Sequence, residues 1–280
     1  MQQFFISENQ IENGSVYITG SDVNHIRNVL RMKKGEKLRA CVPGEKAWIC
    51  QIEEISQETV TAKILDFDGT YAELPSQIIL FQGLPKGDKM ELIIQKAVEL
   101  GAAQIVPTAM ANCVVKLNAQ RAQKKKLRYQ AVALSAAEQS KRGIIPLVTD
   151  VMTFAQAADY AAGCDTILVP YEMADADSMA ATKEAIESIR SGMSVGIFIG
   201  PEGGFDPKEI AYLREKYPQR TKIISLGHRI LRTETAGLTM LSVLMYHFEV
   251  AAASEALHSG SCGGEGYGML SGSVGDDAHR

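Results

Sequence analysis

The sequence predicts an α/β protein in two parts: a small barrel of short strands over residues 1–72, then a parallel sheet covered on both faces by helices over residues 73–250. Two observations carry this. Short β-rich runs follow one another closely before Asp68-Gly69-Thr70, and from residue 77 apolar, β-branched runs alternate with segments of helical period. A third feature, the run Ser259-Gly260-Ser261-Cys262-Gly263-Gly264, sets residues 251–280 apart as a flexible tail that cannot supply a core.

In the first part, Val23, Ile26, Val29 and Leu30 recur at helical spacing after the capping pair Ser21-Asp22, with a stop near Gly35. Strands are expected over residues 37–42, 47–55 and 59–67, with a turn at Pro43-Gly44-Glu45-Lys46. In the second part a strand over 77–82 precedes a helix over 88–100. That helix places Met90, Ile93, Ile94, Ala97 and Val98 on one face, with Asp88 and Glu91 at capping-box spacing and Gly101 as its stop. Further strands are expected over 104–108, 166–169, 194–199 and 222–226, with helices between and after them.

Composition bounds the function. Of 280 residues 46% are hydrophobic and 22% charged, the balance of an ordinary soluble protein. No run approaches the roughly 18 apolar residues that would span a bilayer, and no signal peptide opens the chain, so a cytoplasmic location is expected without a membrane partner. Five scattered cysteines without a CxxC pair or nearby His predict reduced thiols and no metal site. The net charge of -4 excludes a wholly basic nucleic-acid binder, so an RNA partner would be held by local patches. Two exist: six Lys/Arg against one acid over 25–39, and eight against one over 116–142. His25, Arg27, Arg31, Lys33 and Lys34 in the first and Lys124, Lys125, Arg128 and Arg142 in the second are the candidate RNA contacts. Solvated helix faces are the plainer reading of both patches, and His25, which could stack on a base, reads more readily as a structural residue. Trp48 and Phe4-Phe5 are read as core.

Two segments carry the chemistry. In the first, an apolar strand ends in Gly200-Pro201-Glu202-Gly203-Gly204, and Asp206-Pro207-x-Glu209 then opens a helix with an N-cap, an N1 proline and an N3 glutamate. A strand, a glycine turn and a helix start form a ligand cradle, although a tight turn alone would give the same residues. In the second, Leu226-Gly227-His228-Arg229-Ile230-Leu231-Arg232-Thr233-Glu234-Thr235-Ala236 places charge between two apolar elements. Such groups must bond to one another, as an Arg229–Glu234 pair would, or to a ligand.

Together these two segments resemble the RsmE family of 16S rRNA uridine N3-methyltransferases. The resemblance extends to His25-Ile26-x-x-Val29-Leu30-Arg31 with Gly35, to Lys86-Gly87-Asp88-Lys89-Met90-Glu91 with Gln95-Lys96-Ala97-x-Glu99-Leu100-Gly101, and to Glu138-Gln139-Ser140-x-Arg142 with Pro146. It implies a PUA-like RNA-binding domain followed by a SPOUT-type methyltransferase domain with a C-terminal trefoil knot, a homodimer, S-adenosylmethionine as cofactor and 16S rRNA or the small ribosomal subunit as partner. The implied cofactor residues are Pro170 and Tyr171, then Gly200, Pro201, Glu202 and Gly203, then Leu226, Gly227, Arg229, Ile230, Leu231 and Thr235. The implied catalytic residues are Arg232, facing the uracil carbonyls, with Glu202 or Glu234 orienting groups or accepting the N3 proton. The chain departs from the family pattern at Asn112-Cys113, where Arg-Ser is expected. A non-catalytic RNA-binding assembly factor that keeps the fold is the alternative, and a dinucleotide oxidoreductase is disfavoured because no GxGxxG follows the first strand.

Overall fold

The computed structural model describes residues 1–69, 72–172 and 178–259. The first part contains β1 (Gln2–Phe5), β2 (Ile11–Glu12), β3 (Ser15–Thr19), α1 (Ser21–Asn24), β4 (Lys37–Cys41), β5 (Ala47–Ile55) and β6 (Thr59–Asp68). Its six strands pair in the order β1-β4-β5-β6-β3-β2, antiparallel except for β1 against β4. Alternate side chains enter one core, among them Phe4, Val16, Ile18, Leu38, Cys50, Ile52, Val60 and Ala62, with Val23 and Ile26 closing it from the helical side. Trp48 packs on this core, as expected. Gly20, not Ser21-Asp22, is the N-cap of α1, and the helix widens to a π turn over His25–Val29. Arg31 then reverses the chain at φ 53°.

The second part is a seven-stranded parallel sheet: β7 (Gln77–Gly83), β8 (Gln104–Ala109), β9 (Leu147–Val148), β10 (Met152–Thr153), β11 (Thr166–Pro170), β12 (Ser194–Ile199) and β13 (Thr221–Ile224). The order is β10-β8-β7-β12-β11-β13, with β9 beside β8. The helices are α2 (Lys89–Glu99), α3 (Ala119–Gln139), α4 (Phe154–Ala161), α5 (Ser178–Glu187), α6 (Pro207–Lys216) and α7 (Thr233–Ser259). Alternation along the strands separates two cores. Ile78, Leu80, Ile105, Leu168 and Ile197 face α2, α3, α5 and α7; Phe81, Val106, Ile167, Val169 and Phe198 face α4 and α6. α7 carries the chain past residue 250, so the expected tail begins within a helix, and from residue 260 it lies outside the described residues.

All five apolar residues predicted for the face of α2 are buried, and Gly101 ends it at φ 90°. The capping box there does not form. Asp88 makes no side-chain cap, because its backbone is not extended, and Glu91 instead receives the Arg128 guanidinium. The box at Asp206 does form: its side chain accepts from the Lys208 N–H at 2.8 Å, and Glu209 accepts from the Asp206 N–H at 3.0 Å.

The two parts meet at a buried arginine. Arg142, at 2% exposure, donates from Nε to Glu73 at 2.8 Å and from Nη1 to the carbonyls of Val98 and Ala102 at 2.8 and 3.0 Å. Its own carbonyl accepts the Gln3 side-chain amide at 2.8 Å. Arg142 is therefore no RNA contact: its guanidinium is enclosed within the second part, and its backbone carbonyl takes the hydrogen bond from the first. Arg39, counted in the first basic patch, is likewise buried, against Asp68 and Gln3. Phe5 leaves the barrel core and packs on the second domain.

Candidate active site

The C-terminal ends of β11, β12 and β13 are adjacent in the sheet and open into one cavity of about 590 Å³. In parallel sheets this is where ligands bind, since strand ends there release backbone groups from pairing. Pro170, Tyr171, Gly200, Pro201, Glu202, Leu226, Gly227, Arg229, Ile230, Leu231 and Arg232 all line it. The structure thus brings three segments together, Glu172 of the first and Leu226 of the last being 54 residues apart, which only the sheet order makes neighbours.

Two expected residues stand elsewhere. Thr235 is on the exposed side of α7 with Leu238, Thr239, Ser242, Val243 and Tyr246. Gly203 does not reach the cavity: a Cβ there would lie 3.0 Å from the Asn112 Cβ, so its small size accommodates the neighbouring loop. The Asn112 amide donates to the carbonyls of Gly203 and Gly204 at 3.2 and 3.3 Å. Glu209 completes this junction by accepting from the Ala111 N–H at 2.9 Å. Asn112, a departure from the family pattern, is therefore a clamp on the glycine turn.

The turn is also held from below. Gly83 at the end of β7 passes so close that a Cβ would sit 2.6 Å from the Pro201 nitrogen. Gln82 donates its amide to Thr233 Oγ1 at 2.8 Å, and Thr233 donates to the Gly200 carbonyl at 2.6 Å. The Gln82 Oε1 is buried and has no hydrogen-bond partner among the described residues.

Charge at the mouth centres on Lys89. Its Nζ lies 3.2 Å from Glu202 Oε1 and 3.1 Å from Glu234 Oε2. The hydrogen bonds Lys89 donates to Glu234 and Glu202 raise its pKa, so it stays a cation. Burial pushes both carboxyls up, but backbone N–H donors and Lys89 outweigh it, and both end below the usual carboxylate value. Neither is poised to take a proton near neutrality, and Glu234 pairs with Lys89 in place of the expected Arg229. Sequence reasoning missed Lys89, Thr233 and Gln82 as site residues, although Lys89 lies in a quoted motif and Thr233 in the polar loop.

The candidate RNA contacts divide. Arg27, Arg31, Lys33 and Lys34 are exposed on the barrel domain, and Lys124 is exposed on α3. His25 is half-buried with its ring edge-on to Phe4 at 6.2 Å, a packing role. Arg128 is engaged by Glu91, and Lys125 lies over the Tyr129 ring at 5.4 Å.

The residues present fit a ligand of the S-adenosylmethionine type. The cavity has the volume of a small-molecule site. Ile199, Leu226 and Ala236 offer apolar surface for a planar base, Glu172 and Glu202 offer negative charge to a cationic centre, and Arg229 offers a donor to a carboxylate.

Comparison with known proteins agrees with this geometry. A family model described as an RNA methyltransferase domain matches residues 72–245, and one described as an RNA methyltransferase PUA domain matches residues 18–65. The Ribosomal RNA small subunit methyltransferase E of Bacillus subtilis is 38% identical over 254 residues, covering 89% of this chain and 98% of the relative. A crystal structure of the enzyme of that name from Neisseria gonorrhoeae, bound to S-adenosyl methionine, superposes with a TM-score of 0.73 at 32% identity, over 87% of this chain and 96% of that one. A crystal structure of a hypothetical protein reaches 0.80 at 38% identity, over 89% and 100% of the two chains. The likeness thus runs along nearly the whole length of these relatives, and the chain belongs to the ribosomal RNA small subunit methyltransferase E family.

Proposed function

We propose that the protein transfers a methyl group from S-adenosylmethionine to N3 of a uridine in 16S rRNA. The observation that carries this reading is the cavity at the ends of β11, β12 and β13 with Arg232 at its edge, in a chain of this family. When bound, S-adenosylmethionine supplies an electrophilic methyl group on a sulfonium. Pro170, Tyr171, Gly200, Pro201, Leu226, Gly227, Arg229, Ile230 and Leu231 hold it.

The uracil N3 is protonated at neutral pH and becomes nucleophilic as that proton leaves, so negative charge develops on the two flanking carbonyls. Arg232 meets that charge, and a guanidinium fixed in advance stabilises it more than mobile water does. Glu202 and Glu234 are paired and acidic, so they serve as orienting groups and not as the base. The target uridine must be unpaired or extruded, since N3 is occupied in a Watson–Crick pair. Arg27, Arg31, Lys33, Lys34 and Lys124 supply phosphate contacts.

Three further expectations belong to this reading. α7 packs on β7 and β12, where a Cβ at Gly237 would meet Leu80 and Ile199 within 4 Å; a C-terminal trefoil knot enters this reading from the family resemblance. The apolar residues on its outer side, Leu238, Val243 and Tyr246, support a homodimer. Among the described residues no helix is long and apolar enough to cross a membrane, in keeping with action on ribosomal RNA in the cytoplasm.

The test is incubation with labelled S-adenosylmethionine and small ribosomal subunits lacking the modification, followed by mass spectrometry of the nucleosides. The expected product is 3-methyluridine. A different methylated nucleoside overturns the substrate assignment, and RNA binding without transfer supports the assembly-factor alternative.

A further inference from the structure

The segment that leaves β7 touches both cavity loops at two depths. In the buried layer it acts through Gln82, Thr233 and Gly200. In the upper layer the Lys86 N–H donates to Glu202 Oε1 at 3.1 Å, and Lys89 bridges Glu202 and Glu234. Glu202 is thus held by the neighbouring Lys86 as well as by Lys89. Glu234 has its own backbone N–H and Lys89: among the described residues no other cation forms an ion pair with it. Arg232, two residues earlier, already acts on Glu234 through its charge.

Lys89 is also the first residue of α2, where the helix dipole disfavours a cation. Its placement is locally unfavourable and needs a reason beyond the helix. The four charges Lys89, Arg232, Glu202 and Glu234 balance. If the ammonium is removed, the partly buried Glu234 carboxylate, at 17% side-chain exposure, is left with Arg232 as its nearest compensating charge.

We propose that Lys89 is a positioning residue for the transfer: by occupying Glu234 it leaves the Arg232 guanidinium free to face the uracil carbonyls. This rests on the assignment of Arg232 made above. Lys89 does not touch the reacting atoms, and its effect is exerted through which partner Arg232 takes.

The experiment measures turnover with S-adenosylmethionine and unmodified small subunits, together with calorimetric binding of S-adenosylmethionine, for Lys89→Met, Lys89→Arg, Lys89→Met/Glu234→Gln and Arg232→Ala. For Lys89→Met, kcat falls about 100-fold, the scale of a misplaced group. Cofactor affinity stays within about threefold, less than 1 kcal/mol on the affinity scale, because Lys86 still holds Glu202 and Thr233 still holds Gly200. Lys89→Arg retains most activity. The double variant regains at least about tenfold of kcat, since the carboxylate that captured Arg232 is gone; a residue needed only for folding would show no such rescue. Normal turnover in Lys89→Met, a parallel loss of cofactor affinity, or a double variant no better than Lys89→Met overturns the inference while an inactive Arg232→Ala leaves the role of Arg232 standing. An active Arg232→Ala overturns that role, and this inference with it.

Discussion

Thr233 Oγ1 donates a hydrogen bond of 2.6 Å to the carbonyl of Gly200, tying the first turn of α7 to the end of β12 across 33 residues of chain. The same hydroxyl accepts the Gln82 amide, so one buried side chain fixes two strand ends and the start of a helix.

Thr233→Val keeps the shape and removes the hydroxyl. The Gly200 carbonyl and Gln82 amide lose their partner, which costs about 1–3 kcal/mol. Calorimetry is expected to show S-adenosylmethionine binding weakened by about tenfold, with Thr233→Ser close to the parent protein.

Gly203→Val is expected to act through Asn112. The added side chain meets the Asn112 Cβ and carbonyl, displaces the glycine turn and weakens cofactor binding. Asn112→Gly in the same chain removes one of the two obstructions and recovers part of the affinity. Recovery of none would mean that the side chain fills the cavity directly.

Arg142→Ala leaves Glu73 facing a buried gap and is expected to destabilise the fold by about 3–5 kcal/mol in a denaturant titration. Alanine at Arg27, Arg31, Lys33 or Lys34 is expected to leave stability unchanged. Each of these four substitutions should lower the slope of log affinity for RNA against log salt by about 1.

Burial and the nearby Asp22 charge raise the Glu138 carboxyl from its ordinary 4.5 to about 7, against the opposing effects of the Phe5 N–H and Lys141. The folded chain therefore binds more protons than the unfolded one between these values, and the penalty for charging Glu138 grows as pH rises through that window. Glu138→Gln removes the penalty. Its advantage in melting experiments is expected to be absent below pH 4.5 and to level off above pH 7, at on the order of 1–2 kcal/mol after allowance for solvent.

Much of the fold was legible because local patterns and tertiary demands coincide. The 3.6-residue period of α2 and the Asp206-Pro207-x-Glu209 start of α6 are satisfied within their own segments, and both form as read. Asp88 failed as a cap because its backbone, at φ -97° and ψ 9°, is not in the extended conformation a side-chain cap requires. Arg142 was misread for another reason. A basic run looks uniform in sequence, and nothing local distinguishes the one guanidinium that turns inward to Glu73 from those that turn to solvent. Within the site, the glycine turn and the polar loop were visible as costly residue choices. Lys89, Gln82 and Asn112 were not, since each gains its role from a partner more than 90 residues away, in the first turn of α7 or in the glycine turn.

The Glu73–Arg142 pair also bears on how the chain can be divided or recombined. A catalytic fragment begun at residue 77 would inherit a guanidinium enclosed by carbonyls with no counter-ion, and would be unstable for a reason unrelated to its active site. A fragment begun at residue 72 keeps the carboxylate, and Arg142 itself gives up the Gln3 contact; the Phe5 packing and the Gly44–Gly143 hydrogen bond leave with the first domain. Chimeras between family members therefore need residues 73 and 142 from the same parent, even though one lies in the linker and the other beyond the third helix.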